Sequence, residues 1–169
     1  IRFDHLIFST DLLKKNLPIK ILKKSTFNFI FYSKENMKII KKKNNKNKNL
    51  NFLFYFRKHK NKEYAFPFLL IDKLVSKNFS INIVGDKINI KGVKNYGYIS
   101  HNKVLKLLQR TQYSVVSNEN IFSFFTIDCI NNGVKLLINN KVYNSIKHYK
   151  NNFVKFNFNS NKLKNLKIK

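Results

Sequence analysis

The stretch F-R-K-H-K-N-K at residues 56–62 places one Arg, three Lys and a His in a short loop, directly behind the alternating run N-F-L-F-Y-F. Such a cluster is either solvated charge or a device for holding an anion at the end of a strand. Arg57 and Lys62 stand five positions apart in it, with Lys58, His59 and Lys60 between them. A second stretch, S-N-E-N-I-F-S-F-F-T-I-D, offers two carboxylates, Glu119 and Asp128, on either side of an expected helix start. Other chemistries lack their residues. No Gly-x-Gly-x-x-Gly follows a strand and no Walker loop is present, which argues against a dinucleotide-binding dehydrogenase or a P-loop enzyme. The sequence holds no His-x-x-x-His, no nucleophile elbow and no carboxylates paired as in a glycosidase. Its single Cys129 excludes a disulfide framework and a Cys-based zinc site.

The elements that must position these residues follow from periodicity. N-F-L-F-Y-F alternates like a strand and leads through the basic loop into a helix, A-F-P-F-L-L-I-D-K-L-V-S-K. In that helix Phe66, Leu69, Leu70 and Leu74 are expected on one face, with Pro67 in the first turn. S-I-N-I-V-G-D is a strand that ends at Gly85 and Asp86, and G-V-K-N-Y-G-Y-I adds another. Ser100 is the expected N-cap of a helix whose stripe is Val104, Leu105, Leu107, Leu108 and Thr111. Y-S-V-V-S is a strand, S-F-F-T-I-D-C-I-N-N a helix closed by Gly133, and V-K-L-L-I-N a strand. K-V-Y-N-S-I-K-H-Y reads as helix and F-V-K-F-N-F as the last strand. Gly85 and Gly97 fit either tight backbone near a cleft or simple turns, His101 and His148 read as solvated helix residues, and Cys129 and Ile130 as core.

The order β-α-β-β-α-β-α-β-α-β predicts an α/β, Rossmann-like fold: a mostly parallel sheet with helices on both faces. Ligands of such sheets bind beyond the carboxyl ends of the strands, and the loop at 56–62 lies at that edge.

Upstream, residues 1–40 have a different texture, with a short strand in H-L-I-F-S-T and an alternating F-N-F-I-F-Y. The Leu17–Pro18 pair disfavours helix just before the proline. K-K-K-N-N-K-N-K-N at residues 41–49 has no apolar residue and reads as a basic linker or loop, and residues 161–169 as a basic tail. The 169 residues suffice for one sizeable core, not two full ones. A net charge of +26 suggests a polyanionic or phosphorylated partner. The same Lys- and Asn-rich, Gly- and Ala-poor composition also follows from AT-rich codons, so charge alone decides little. No apolar run approaches bilayer length, the start does not read as a signal peptide, and the chain begins with Ile rather than Met. A cytoplasmic fragment of a longer protein is the expectation.

Taken in order, R-x-x-x-x-K at 57–62, then I-V-G-D, then G-Y-I-S opening a helix, then V-V-S-N-E-N-I-F-S-F-F-T-I-D-C-I-N-N-G-V-K-L-L, the region from about 50 to 160 resembles a known family. It is the donor-nucleotide-binding, C-terminal domain of GT-B glycosyltransferases of the group 1 superfamily. The resemblance implies that Arg57 and Lys62 bind the donor's diphosphate, although Phe56 and Glu63 stand where the family has glycines. Glu119 matches the first Glu of the family's E-x(7)-E motif and would contact the donor sugar as the catalytic-site acid. Asp128 stands for the second, which grips the ribose hydroxyls, but it is Asp and one residue further along. Ser123 and Phe124, at the helix start, become the backbone phosphate candidates. A leaving diphosphate gains negative charge as the glycosidic bond breaks, and an Arg, a Lys and a helix N-terminus can neutralise it.

The implied activity is metal-independent, retaining transfer of a sugar from a nucleotide-diphosphate donor to an unidentified glycan or lipid acceptor, with no cofactor besides the donor as co-substrate. Residues 1–40 would end the acceptor-side domain, and the positive charge is compatible with peripheral contact at an anionic membrane face. Two rivals stand beside this: a basic nucleic-acid- or ribosome-associated protein, and a Rossmann-like binding domain without catalysis.

Overall fold

In a computed structural model of the chain, residues 6–8, 19–23, 25–27, 50–59, 66–116, 121, 123–144, 146 and 149–158 are described. The expected linker at 41–49 and tail at 161–169 lie outside these residues. The chain divides into two units, Ile1–Lys38 and Ile39–Lys169. In the first, strand β1 (Leu6–Phe8) pairs in parallel with β2 (Ser25–Phe27), and a short helix α1 (Ile19–Leu22) lies between them in sequence. That helix begins just beyond Pro18, where a proline imposes no missing hydrogen bond.

The second unit runs β3 (Asn51–Phe56), α2 (Phe68–Val75), β4 (Ser80–Gly85), β5 (Val93–Asn95), α3 (His101–Leu108), β6 (Tyr113–Val115), α4 (Phe124–Asn131), β7 (Lys135–Asn139), α5 (Asn140–Tyr143), a 3-10 turn (Lys150–Asn152) and β8 (Phe153–Phe156). Its six strands form one sheet in the order β5-β4-β3-β6-β7-β8, and every pairing is parallel. Counted from β3, this is the doubly wound order 3-2-1-4-5-6, in which the chain reverses direction across the sheet between β3 and β6.

Strand parity explains why helices cover both faces. Phe52, Phe54 and Phe56 of β3 pack with Leu70, Ile71 and Leu74 of α2 and with Ile81 and Ile83 of β4. Leu53 and Val84, one residue out of step, pack on the other side with Leu108 of α3 and Cys129 and Ile130 of α4. Both faces are therefore apolar, as a parallel sheet covered on both sides requires. Rings tie the first face together: Phe52 stacks on Tyr113 at 5.5 Å, and Phe56 meets Phe66 at 4.6 Å.

Two details differ from the sequence reading. Leu69 is 69% exposed and Ile71 fully buried, because α2 begins at Phe68 with Pro67 as its N-cap, and positions 70, 71 and 74 then face the sheet. Phe66 precedes the helix and reaches the core from the loop. Of the expected helix over K-V-Y-N-S-I-K-H-Y, the described residues hold a four-residue helix, Asn140–Tyr143, and 145, 147 and 148 lie outside them. Among the described residues no helix is long and apolar enough to cross a membrane.

Candidate functional site

The chain's β3, β4 and β5 end at a common edge, and three short connections are fastened there. Gly85 closes β4 with φ +98°, a left-handed conformation that a side chain resists. A Cβ there would sit 2.1 Å from the Phe56 carbonyl oxygen, so only glycine lets the end of β4 lie against β3. The Asp86 amide donates to the Phe56 carbonyl (2.9 Å) and the Gly85 amide to the Gly97 carbonyl (3.0 Å). Gly97 is different: its φ is +68° but a Cβ would meet nothing within 4 Å, so it serves a turn rather than a close approach.

Asp86 then organises the basic loop. Its Oδ2 accepts a 2.6 Å hydrogen bond from the Lys58 amide, and its carboxylate also accepts one from the Tyr98 hydroxyl. The Lys58 amide bond does most to hold the carboxyl below the usual carboxylate range; the Tyr98 bond and the charges of Arg57 and Lys58 add to it. The same carboxylate raises the Tyr98 phenol above its ordinary value, mainly through the shared hydrogen bond. Arg57, Lys58 and His59 themselves are exposed.

Beside this rim is a cleft of about 300 Å³. That lies at the lower end of the range for small-ligand pockets. Its walls are largely apolar: Tyr55 from β3, Val84 and Gly85 from β4, Ile99 and Val104 around the start of α3, and Phe124 and Phe125 from α4. Tyr55 shares the parity of Leu53 and therefore emerges on the α3–α4 side, where its ring lies 5.8 Å from that of Phe125. Tyr98, His101, Ser123 and Asp128 contribute the polar groups.

Two helix starts meet at this cleft, and each brings a partial positive charge. Ser123 is the N-cap of α4: its Oγ accepts from the Thr126 amide at 3.2 Å and lies 3.0 Å from the Thr126 hydroxyl. Ser100 occupies the N-cap position of α3 but its side chain makes no capping bond; its carbonyl accepts from the amides of Lys103 and Val104 instead. Across the cleft His101, at the first turn of α3, donates from Nε2 to Asp128 Oδ2 of α4 at 2.8 Å. The Asp128 side chain is 14% exposed and that of His101 62%. At its far end α4 closes as expected, with Gly133 at φ +65° and the Gly133 and Val134 amides donating to Ile130 and Cys129.

Of the residues selected from sequence, Ser123, Phe124 and Asp128 come together on the cleft. Arg57 lies on the adjoining rim, close enough to Asp86 and Tyr98 for its charge to act on both. Lys62 and Glu119 lie outside the described residues. Four residues were not singled out as functional in the sequence. Tyr55 could have been found from its parity at the end of β3. Asp86 and Tyr98 are joined only by the tertiary fold. His101 is the exposed helix residue expected from sequence, and it is also the partner of Asp128. Among the described residues no group of three or more His, Cys, Asp or Glu side chains could hold a metal ion.

No protein-family model matches the sequence, and no curated protein matches it. Among solved structures, the chain is similar to HepE of Anabaena, solved in complex with UDP and glucose. The TM-score is 0.55 at 11% identity, over 79% of this chain and 44% of HepE. The chain thus spans less than half the length of that protein, and at this identity the likeness is one of fold. The chain has an α/β, Rossmann-like fold of six parallel strands, shared with a protein that holds UDP and glucose.

Proposed function

We propose that this chain carries the donor-binding half of a GT-B glycosyltransferase, which moves a sugar from a nucleoside-diphosphate donor to a glycan or lipid acceptor. The observation that carries the reading is the meeting of Ser123, Phe124 and Asp128 on one apolar cleft at the carboxyl edge of a 3-2-1-4-5-6 sheet. The likeness to a UDP- and glucose-bound fold supports it.

In this reading Tyr55, Ile99 and Phe125 enclose the nucleoside. The carboxylate of Asp128 accepts from the ribose through the oxygen that His101 leaves unused. The diphosphate extends toward the start of α4 and the rim bearing Arg57, with Lys62 on the same phosphates and Glu119 at the sugar. As the bond from the sugar carbon to the diphosphate oxygen breaks, charge accumulates on the leaving group. The Arg57 guanidinium and the α4 N-terminus stabilise it there. Retaining transfer belongs to the same proposal, as do an acceptor-side end at residues 1–40, a linker at 41–49 and a cytoplasmic setting.

The test is titration with UDP and GDP, and separately with a short RNA, at low and moderate salt, alongside an Arg57→Ala, Lys62→Ala double variant. Saturable nucleotide binding that the double variant abolishes is the expected result. RNA binding that collapses with salt and ignores these two residues would replace the transferase reading with nucleic-acid binding, which the +26 charge favours.

A further inference from the structure

Asp86 grips the basic loop on both sides of one residue. Its amide donates to the Phe56 carbonyl at 2.9 Å, and its Oδ2 accepts from the Lys58 amide at 2.6 Å. The two peptide planes that flank the Arg57 Cα are therefore tied to the same partner. Rotations of those planes about the Cα are the only soft backbone freedoms of Arg57, so its φ and ψ are set from the end of β4. Asp86 is itself fixed. The Gly85 amide donates to the Gly97 carbonyl at 3.0 Å, and the residue after Gly97, Tyr98, donates its hydroxyl to the Asp86 carboxylate. Tyr98 also lines the cleft. A chain of contacts thus runs from the cleft wall through Asp86 to the root of the Arg57 side chain.

We infer that Asp86 is the positioning residue for Arg57, holding the backbone on both sides of it so that the exposed guanidinium leaves the rim from a fixed root. The inference rests on the donor-binding reading, in which Arg57 meets the diphosphate, and adds to it a residue that touches no ligand. Charge alone argues the opposite effect. An ionised carboxylate beside the rim repels an anion and offsets part of the Arg57 charge, so its removal should tighten the binding of a diphosphate. Positioning requires that removal to weaken binding, because an arginine on a loosened backbone must be ordered again by each ligand that arrives. The sign of one measurement separates the two.

The experiment is calorimetric titration of the full chain with UDP, alongside Asp86→Ala, Asp86→Asn, Arg57→Ala and the Arg57→Ala, Asp86→Ala double variant. Alanine and asparagine remove the same charge, but asparagine keeps a side-chain oxygen for the Lys58 amide. The expected result is weaker binding by Asp86→Ala, by about threefold to tenfold, and no greater than the loss in Arg57→Ala, through which it acts. Asp86→Asn should recover part of that loss, and the double variant should bind no more weakly than Arg57→Ala alone. Should Asp86→Ala fail to fold, the sign and the additivity are read from the nearly isosteric Asp86→Asn. Unchanged or tighter UDP binding by the Asp86 variants, or losses that add in the double variant, would overturn the inference while leaving the donor-binding reading intact. UDP binding that Arg57→Ala does not weaken would overturn the inference together with the role of Arg57. Failure of UDP to bind the unsubstituted chain would overturn the whole reading.

Discussion

Asp86 shows how one residue can govern a loop it does not belong to. Its carboxylate takes the Lys58 amide and the Tyr98 hydroxyl and sits within the field of Arg57. Because its pKa is depressed in the folded chain, its bonds contribute fully above the ordinary carboxylate range and are lost only as pH falls below that range. The clamp on the loop should therefore be intact at neutral pH and release in strong acid. Asp86→Asn keeps the shape and removes the charge. The Tyr98 phenol should then titrate lower, back toward its ordinary value, and the Lys58 amide should exchange faster with solvent. NMR of the two sites checks both, and an unmoved Tyr98 would mean that the shared hydrogen bond does not set its titration. In the proposed donor-binding role, Arg57 on the exposed rim would make a charge-assisted contact worth about 1.5 kcal/mol at the low end of the range, so Arg57→Ala should weaken UDP binding by about tenfold. Calorimetry measures this directly. The basic cluster was legible as a run of residue types. Asp86 was visible only as the end of a strand, because its partners are 28 and 12 residues away and meet it through the fold.

At the scale of elements, the sheet edge depends on glycine in one place and merely tolerates it in another. Gly85→Ala must force a Cβ into the Phe56 carbonyl and accept a positive φ as well. It should cost about 2–4 kcal/mol, since backbone strain alone accounts for 1–3 and the clash adds to it. Gly97→Ala meets open space and should cost about 1 kcal/mol from φ alone. Urea denaturation of the pair separates the two, and equal losses would show that the β3–β4 edge relaxes around the new methyl. The helix α2 makes a parallel case. Leu74 is completely buried and Leu69 is 69% exposed. Leu74→Ala should cost about 2–5 kcal/mol and Leu69→Ala well under 1. Helical spacing alone admits both residues to the apolar face. Where the helix starts is what separates them, and that depends on Phe66 packing into the core ahead of Pro67. By contrast the stripe on α3 was readable in full, because its apolar positions are interrupted by Lys103, Lys106, Gln109 and Arg110.

For the whole molecule, two global properties compete to name the partner: the doubly wound topology and the +26 charge. The alternation of strands and helices made a parallel sheet readable, since parallel strands need crossovers and crossovers have one hand. The reversal between β3 and β6, which opens the cleft, is a long-range choice that no local pattern encodes. Salt separates the two partners physically. A nucleotide donor carries two phosphates and meets a few cations, so few counterions are released and its affinity should fall only modestly as salt rises. RNA held by the general field engages many phosphates, and its affinity should fall by about 10³ or more between roughly 50 and 200 mM salt. If the cleft is the functional site, UDP binding should persist at physiological salt while RNA binding disappears, and unlabelled UDP should leave any RNA binding at low salt undiminished. Competition between them would put the RNA in the cleft itself, and a UDP affinity as steep in salt as that of RNA would mean that the nucleotide is held by the surface lysines rather than by the fold.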